Sequence, residues 1–278
     1  MVRSDLIGAV IQRWAAQEPS VRALVQIGSR VRAQTDTMLA CDDFSDWDFQ
    51  VVTSRPEMFA DREWLRALDL GAPIAYVARL GRLGTATKVA IALRGGEIDL
   101  VILPAARLRQ AKWLVRLGLA TRLPAVRHAL GGMAIVLRGG HVVRHGGAEW
   151  GGFFRRVATE FPVPRLSDAD AQGLAEGFVC DFISTRHKID RGEFLAAQRW
   201  LHHQLAEVNF QLLHELRQRK NELSFPDARR IERVFPDWRL VQVDAAPQAE
   251  SLREATDKAA ATLSALMKEL VPEWRWPL

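Results

Sequence analysis

The sequence predicts an α/β (α+β) protein: a mixed sheet with helices on one face, followed by an all-helical C-terminal bundle. Three observations carry this. Apolar runs of strand length alternate with turn signals over roughly the first hundred residues. From Ser167 onward, apolar residues recur at helical spacing instead. Between the two regimes, Phe161-Pro162-Val163-Pro164 reads as a linker, because proline fixes its own backbone and restrains the residue before it. The expected domains are 1–150 and 165–278.

Composition narrows the class. Of 278 residues, 48% are hydrophobic and 26% charged, enough apolar material for a packed core. Two cysteines, Cys41 and Cys180, make no disulfide framework. No run approaches the roughly 18 apolar residues of a membrane span, and Met-Val-Arg-Ser-Asp-Leu-Ile lacks the apolar core of a signal peptide. A cytoplasmic protein with no membrane partner is expected. The net charge of +5 is spread along the chain, with no helix-turn-helix, zinc-finger or RNA-recognition motif. It reads as solvated basic faces and argues against a nucleic-acid partner.

Residues 4–16 read as an amphipathic helix capped by Ser4 or Asp5, with Leu6, Val10 and Trp14 on one stripe. Val21, Ala23, Val25 and Ile27 alternate as in a half-buried strand. A strand through Asp46 to Val52 follows, then a helix over 56–68 and a strand over 74–78. Thr87–Leu93 and Glu97–Leu103 form a hairpin about Gly95-Gly96. Pro104 starts a helix reaching about Leu117. Residues 134–137 and 141–143 suggest a second short hairpin about Gly139-Gly140. The Gly-Gly pairs at 131, 139, 146 and 151 read as turns or junctions, and none has the spacing of a dinucleotide site. In the second domain Ser167 caps a helix to about Lys188, and Arg191-Gly192 breaks it. Residues 193–220 form a long helix, 226–235 a short one and 248–270 a last long one.

The chemistry concentrates between Gly28 and Asp48. Asp46 and Asp48 are two apart on a strand, so they point to one face, while Phe49 and Val51 alternate into a core. Two like charges held that close repel, and a divalent cation relieves the repulsion. Hard oxygen donors with no nearby His or Cys suit Mg²⁺. Upstream, Gly28-Ser29 falls where a strand ends. Glycine lets a backbone approach a ligand, and the Ser hydroxyl with the following N–H groups suits a phosphate, better still at a helix start. Arg30 either touches a phosphate or forms a surface salt bridge. On the return strand of the hairpin, Glu97 and Asp99 share the face opposite Ile98, Leu100 and Ile102. Asp99 is the candidate third ligand or the base for an attacking hydroxyl, and Glu97 could replace it.

Gly-Ser, then Asp-x-Asp, then an acidic residue on a later strand resembles the polymerase-beta-like nucleotidyltransferase superfamily. Gly28-Ser29-Arg30 and Asp43-Phe44-Ser45-Asp46-Trp47-Asp48 are similar to its aminoglycoside 6-adenylyltransferase (streptomycin adenylyltransferase) branch. The resemblance covers about residues 20–105. It implies a minimal nucleotidyltransferase sheet, transfer of AMP from ATP to a hydroxyl with Mg²⁺ and release of pyrophosphate, and a helical C-terminal domain that closes on the nucleotide. It also implies a small hydroxylated acceptor, an aminoglycoside first, and so antibiotic resistance. The alternatives are a protein acceptor of the toxin–antitoxin type and a nucleotide-binding regulator without catalysis. Sixteen residues separate Ser29 from Asp46, more than that branch's pattern, and the excess falls in Arg32 to Cys41, read as a longer loop or helix near the site.

Other candidates are weaker. Asp42 and Asp43 read as loop residues that could help hold a cationic acceptor. Asp181, Ser184, Thr185 and Lys188 form a polar stripe at i, i+3, i+4 and i+7. Lys188 would reach the triphosphate and Asp181 would be an alternative base; a solvated face is the plainer reading. His202-His203 lacks the Glu and spacing of a zinc protease and reads as surface or packing.

Overall fold

The computed structural model describes residues 4–32, 41–42, 44–80 and 86–278. The expected extra loop or helix over 32–41, Asp43, and the Ser4 and Asp5 side chains therefore lie largely or wholly outside the description. The chain divides into two compact units, Met1–Pro164 and Arg165–Leu278.

The first unit is built on one six-stranded sheet, ordered β3-β4-β5-β2-β1-β6. Its strands are β1 (Val21–Ile27), β2 (Trp47–Thr53), β3 (Ala75–Leu80), β4 (Thr87–Leu93), β5 (Gly96–Pro104) and β6 (Val142–His145). All neighbours are antiparallel except β2 and β5, which run parallel with Asp48 opposite Asp99. The hairpin about Gly95-Gly96 forms as its glycines predict.

Both faces of the sheet are covered. Helices α2 (Ala105–Arg116), α3 (Pro124–Arg138) and α4 (Gly147–Glu160) pack on one face, with Ala23, Val25, Val52 and Leu103 beneath Leu130, Trp150 and Phe154. The expected one-sided packing omits the other face. There α1 (Ser4–Gln17) and two 3₁₀ turns, Pro56–Phe59 and Glu63–Ala67, cover Leu24, Phe49, Val51, Leu100 and Ile102. These turns replace the single helix expected over 56–68.

Other expectations shift for identifiable reasons. The buried stripe of α1 is Ile7, Ile11, Trp14 and Ala15, while Leu6 is 53% exposed. β1 is not half-buried but central, flanked by β2 and β6. A bulge between Val21 and Ala23 moves Val21 to the α1 face, so both faces of the strand are buried. The hairpin expected about Gly139-Gly140 is absent. Residues 134–137 belong to α3, and β6 pairs with β1 instead. Gly131 and Gly151 sit inside helices. At Gly131 a Cβ would meet the Pro162 carbonyl at 2.7 Å, so the glycine lets the Pro-rich segment cross α3.

The second unit is helical: α5 (Asp168–Asp190), α6 (Phe194–Trp200), a π-helical stretch Leu201–Ala206, α7 (Glu207–Arg219), the single turn α8 (Ile231–Val234) and α9 (Ala249–Leu270). Ser167 and Asp170 form a full capping box at the start of α5. Thr185 is buried and its hydroxyl donates to the Asp181 carbonyl, so it leaves the predicted polar stripe and joins the packed face of α5. Glu215 of α7 is buried between Arg165 and Arg219, at 2.9 and 3.0 Å, and accepts from the Leu166 N–H. Among the described residues no helix is long and apolar enough to cross a membrane.

A Cβ on Gly8 of α1 would lie 2.1 Å from the Trp47 ring. Gly8→Ala should therefore destabilise by about 1–3 kcal/mol, against the usual gain from alanine in a helix, as read by denaturant unfolding. At Glu215 burial raises the carboxyl pKa, but the Arg165, Leu166 and Arg219 hydrogen bonds outweigh it and hold the pKa below its ordinary 4.5. Glu215 then stabilises the fold fully above pH 4.5, and that contribution fades as pH falls toward the folded value. Because Arg165 is 40% exposed, Glu215→Gln should cost about 1–3 kcal/mol at neutral pH, less than a fully buried pair. The loss should shrink in melts run progressively below pH 4.5.

Candidate metal and phosphate site

Three strand ends meet at one edge of the sheet. β1 ends at Ile27, whose Cα partner is Asp48 near the start of β2, and Asp48 faces Asp99 near the start of β5. By alternation Asp48 and Asp99 project on the α2–α4 side, opposite Phe49, Ile98 and Leu100. Asp46, one residue before β2, joins them. One carboxylate oxygen from each of Asp46, Asp48 and Asp99 lies within 4.8 Å of the others, and all three residues are half-buried. Oxygens around an octahedral Mg²⁺ at 2.0–2.1 Å stand about 3–4 Å apart, so a small side-chain movement completes a ligand set. All donors are hard oxygens, which suits Mg²⁺ or Mn²⁺ over Zn²⁺.

The strand pairing explains why these side chains converge. A parallel pair places residues side by side without a hairpin, so Asp48 and Asp99 come from segments far apart in the chain. Trp47 stacks on Phe49 at 6.0 Å on the opposite face and fixes the direction of β2 as it enters the sheet. Arg30 secures the approach. Its Nε donates to the Asp46 carbonyl at 3.1 Å, its Nη2 to the Ser45 carbonyl at 2.6 Å, and its guanidinium lies 4.6 Å from the Trp47 ring centroid. These contacts hold the segment that carries Asp46. Asp42 shapes the same loop, accepting from the Ser45 hydroxyl and the Phe44 N–H.

Gly28 lies directly beside the Asp48 carboxylate, and Ser29 follows it in the chain. Gly28 has φ +81°, and a Cβ there would sit 2.1 Å from Asp48 Oδ2. The glycine is required twice, by its backbone and by the space the Asp48 carboxylate fills. Only one 3₁₀ turn, Ser29–Val31, begins here, so a phosphate would gain no long helix dipole. Ser29 is 2% exposed, and its hydroxyl has no hydrogen-bond partner among the described residues. A buried hydroxyl left unpaired is costly, and a ligand oxygen that reached it would satisfy it.

The chain matches no family model and no curated protein. Solved structures to which it is similar include an aminoglycoside 6-adenyltransferase from Bacillus subtilis, 12% identical with a TM-score of 0.41, over 99% of this chain and 94% of that one. A nucleotidyltransferase-like protein from Exiguobacterium sibiricum is 12% identical with a TM-score of 0.36, over 99% of this chain and 81% of that one.

The remaining predicted residues fall elsewhere in the description. Glu97 is exposed, two residues before Asp99 on the same face of β5. Lys188 belongs to the second unit, on α5, with its ammonium 4.3 Å from the Trp200 ring centroid. Asp181, about two turns earlier on α5, has its carboxyl pKa pushed up by burial. Sequence reasoning missed Lys88 of β4, whose Nζ lies 2.6 Å from Asp99 Oδ2. The available signal was a single cation in the otherwise apolar run Thr87–Leu93.

Gly28→Ala should push the Asp48 carboxylate out of place and strain the turn at once. A loss of at least about tenfold in Mn²⁺ affinity is expected, with the fold retained by circular dichroism. Unchanged Mn²⁺ affinity in that variant would mean that Asp48 is not a ligand.

Proposed function

We propose that the protein is a Mg²⁺-dependent nucleotidyltransferase that moves AMP from ATP to a hydroxyl of a small acceptor, an aminoglycoside first. The observation that carries the reading is the convergence of Asp46, Asp48 and Asp99 beside Gly28 and the unpaired Ser29 hydroxyl.

In this reading Asp46, Asp48 and Asp99 hold the divalent cation, which supplies charge neutralisation to the triphosphate when bound. Ser29 donates its hydroxyl to a phosphate oxygen, and Gly28 leaves the space for that approach. Arg30 keeps Asp46 in register through the Ser45 and Asp46 carbonyls. The acceptor hydroxyl attacks the α-phosphorus. The bond to the β-phosphate oxygen breaks, pyrophosphate leaves, and the hydroxyl proton passes to a carboxylate. Asp99 is assigned that task, with Glu97 on the same face of β5 the alternative. Acidic side chains around the site suit a cationic acceptor despite the chain's net charge of +5.

Pyrophosphate release from ATP and Mg²⁺ with an aminoglycoside panel, streptomycin included, tests the reading. Asp46→Asn should lower turnover by at least about a hundredfold with the fold intact. Wild-type turnover in that variant would refute the metal role. Mg-ATP binding without release on any panel member would move the search to a protein acceptor or to a regulator that only binds.

A further inference from the structure

Lys88 forms an ion pair with the carboxylate cluster, its Nζ 2.6 Å from Asp99 Oδ2. Its Cα partner on β5 is Val101, two residues beyond Asp99 on the same face, so the side chain reaches Asp99 diagonally across the strands. The other residues of β4 on that face, Ala90 and Ala92, are small and leave its path open. On its other flank, the Cα partner of Lys88 on β3 is Arg79. Like charges directly opposite repel, and among the described residues no ion pair involves Arg79. The Lys88 ammonium is thus repelled on one side and drawn to Asp99 on the other.

We propose that Lys88 is a placeholder cation for the metal site. It neutralises Asp99 before a divalent ion enters and competes with that ion for the carboxylate. Once displaced, it stands beside Arg79 as a second cation facing an incoming phosphate chain. The inference rests on the metal-site reading above. Its energetics are in the right range: the Lys88 side chain is 56% exposed and that of Asp99 25%, so the pair is screened and reversible. An ion pair of this exposure shifts an equilibrium by about two- to fivefold. It delays metal entry without blocking it. The opposed arrangement would have Lys88 orient Asp99 as an outer-shell partner, and its removal would then weaken metal binding by about tenfold or more. The two arrangements predict opposite signs.

The test is Mn²⁺ binding to the full chain at low salt, by electron paramagnetic resonance, for the wild type, Lys88→Met, Lys88→Arg and Asp99→Asn. Lys88→Met should bind Mn²⁺ about two- to fivefold more tightly than wild type, and Lys88→Arg should stay near wild type. With Mn²⁺ bound, inorganic pyrophosphate should bind Lys88→Met more weakly than wild type. Equal or weaker Mn²⁺ affinity in Lys88→Met, while Asp99→Asn still loses binding, overturns the Lys88 role and leaves the metal site standing. No Mn²⁺ binding to the wild type overturns both.

Discussion

The parallel pairing of β2 with β5 is the constraint on which the first unit depends. It sets Asp48 opposite Asp99 and, on the other face, Phe49 opposite Leu100. One register thus fixes the candidate site and the α1-side core together. Because side chains alternate with period two, a slip of one residue would turn the carboxylates into the α1-side core. The cost of burying Asp48 and Asp99 unpaired against the α1-side core protects the register of the site.

Around that pairing the chain uses size as much as charge. Gly28 leaves room for the Asp48 carboxylate, and Gly8 leaves room for Trp47, which braces the start of β2 from the opposite face. Arg30, on the turn after β1, ties the segment entering β2 through two backbone carbonyls. Asp46, Asp48 and Asp99 bring three carboxylates together, and Lys88 pairs with the last of them. The second unit is stabilised separately, by its own apolar core and by the Arg165–Glu215–Arg219 network.

Much of this was legible in the sequence because local rules and tertiary context agree there. The Gly95-Gly96 turn and the Ser167 cap each carry their own geometric signal, and each appears where the signal puts it, while β2 begins at Trp47, so Asp48 lies on the strand and Asp46 one residue before it. The misses share a different cause. Residues 124–138 and 147–160 contain Gly-Gly pairs that read as turns, yet burial of Leu130, Met133, Leu137, Trp150, Phe153 and Phe154 against the sheet outweighs the glycine penalty. The bulge in β1 and the one-residue shift of the α1 stripe depend on partners distant in sequence. Lys88 escaped notice because its significance lies in a diagonal neighbour on another strand, which no local pattern reveals.

The central claim is that Asp46, Asp48 and Asp99 act together as one oxygen-donor metal site. The most direct measurement is anomalous diffraction from crystals of the full chain grown with Mn²⁺. The account predicts an anomalous peak coordinated by oxygens of all three carboxylates, with Lys88 withdrawn from Asp99. A peak elsewhere, or none at a Mn²⁺ concentration that saturates binding in solution, would contradict it.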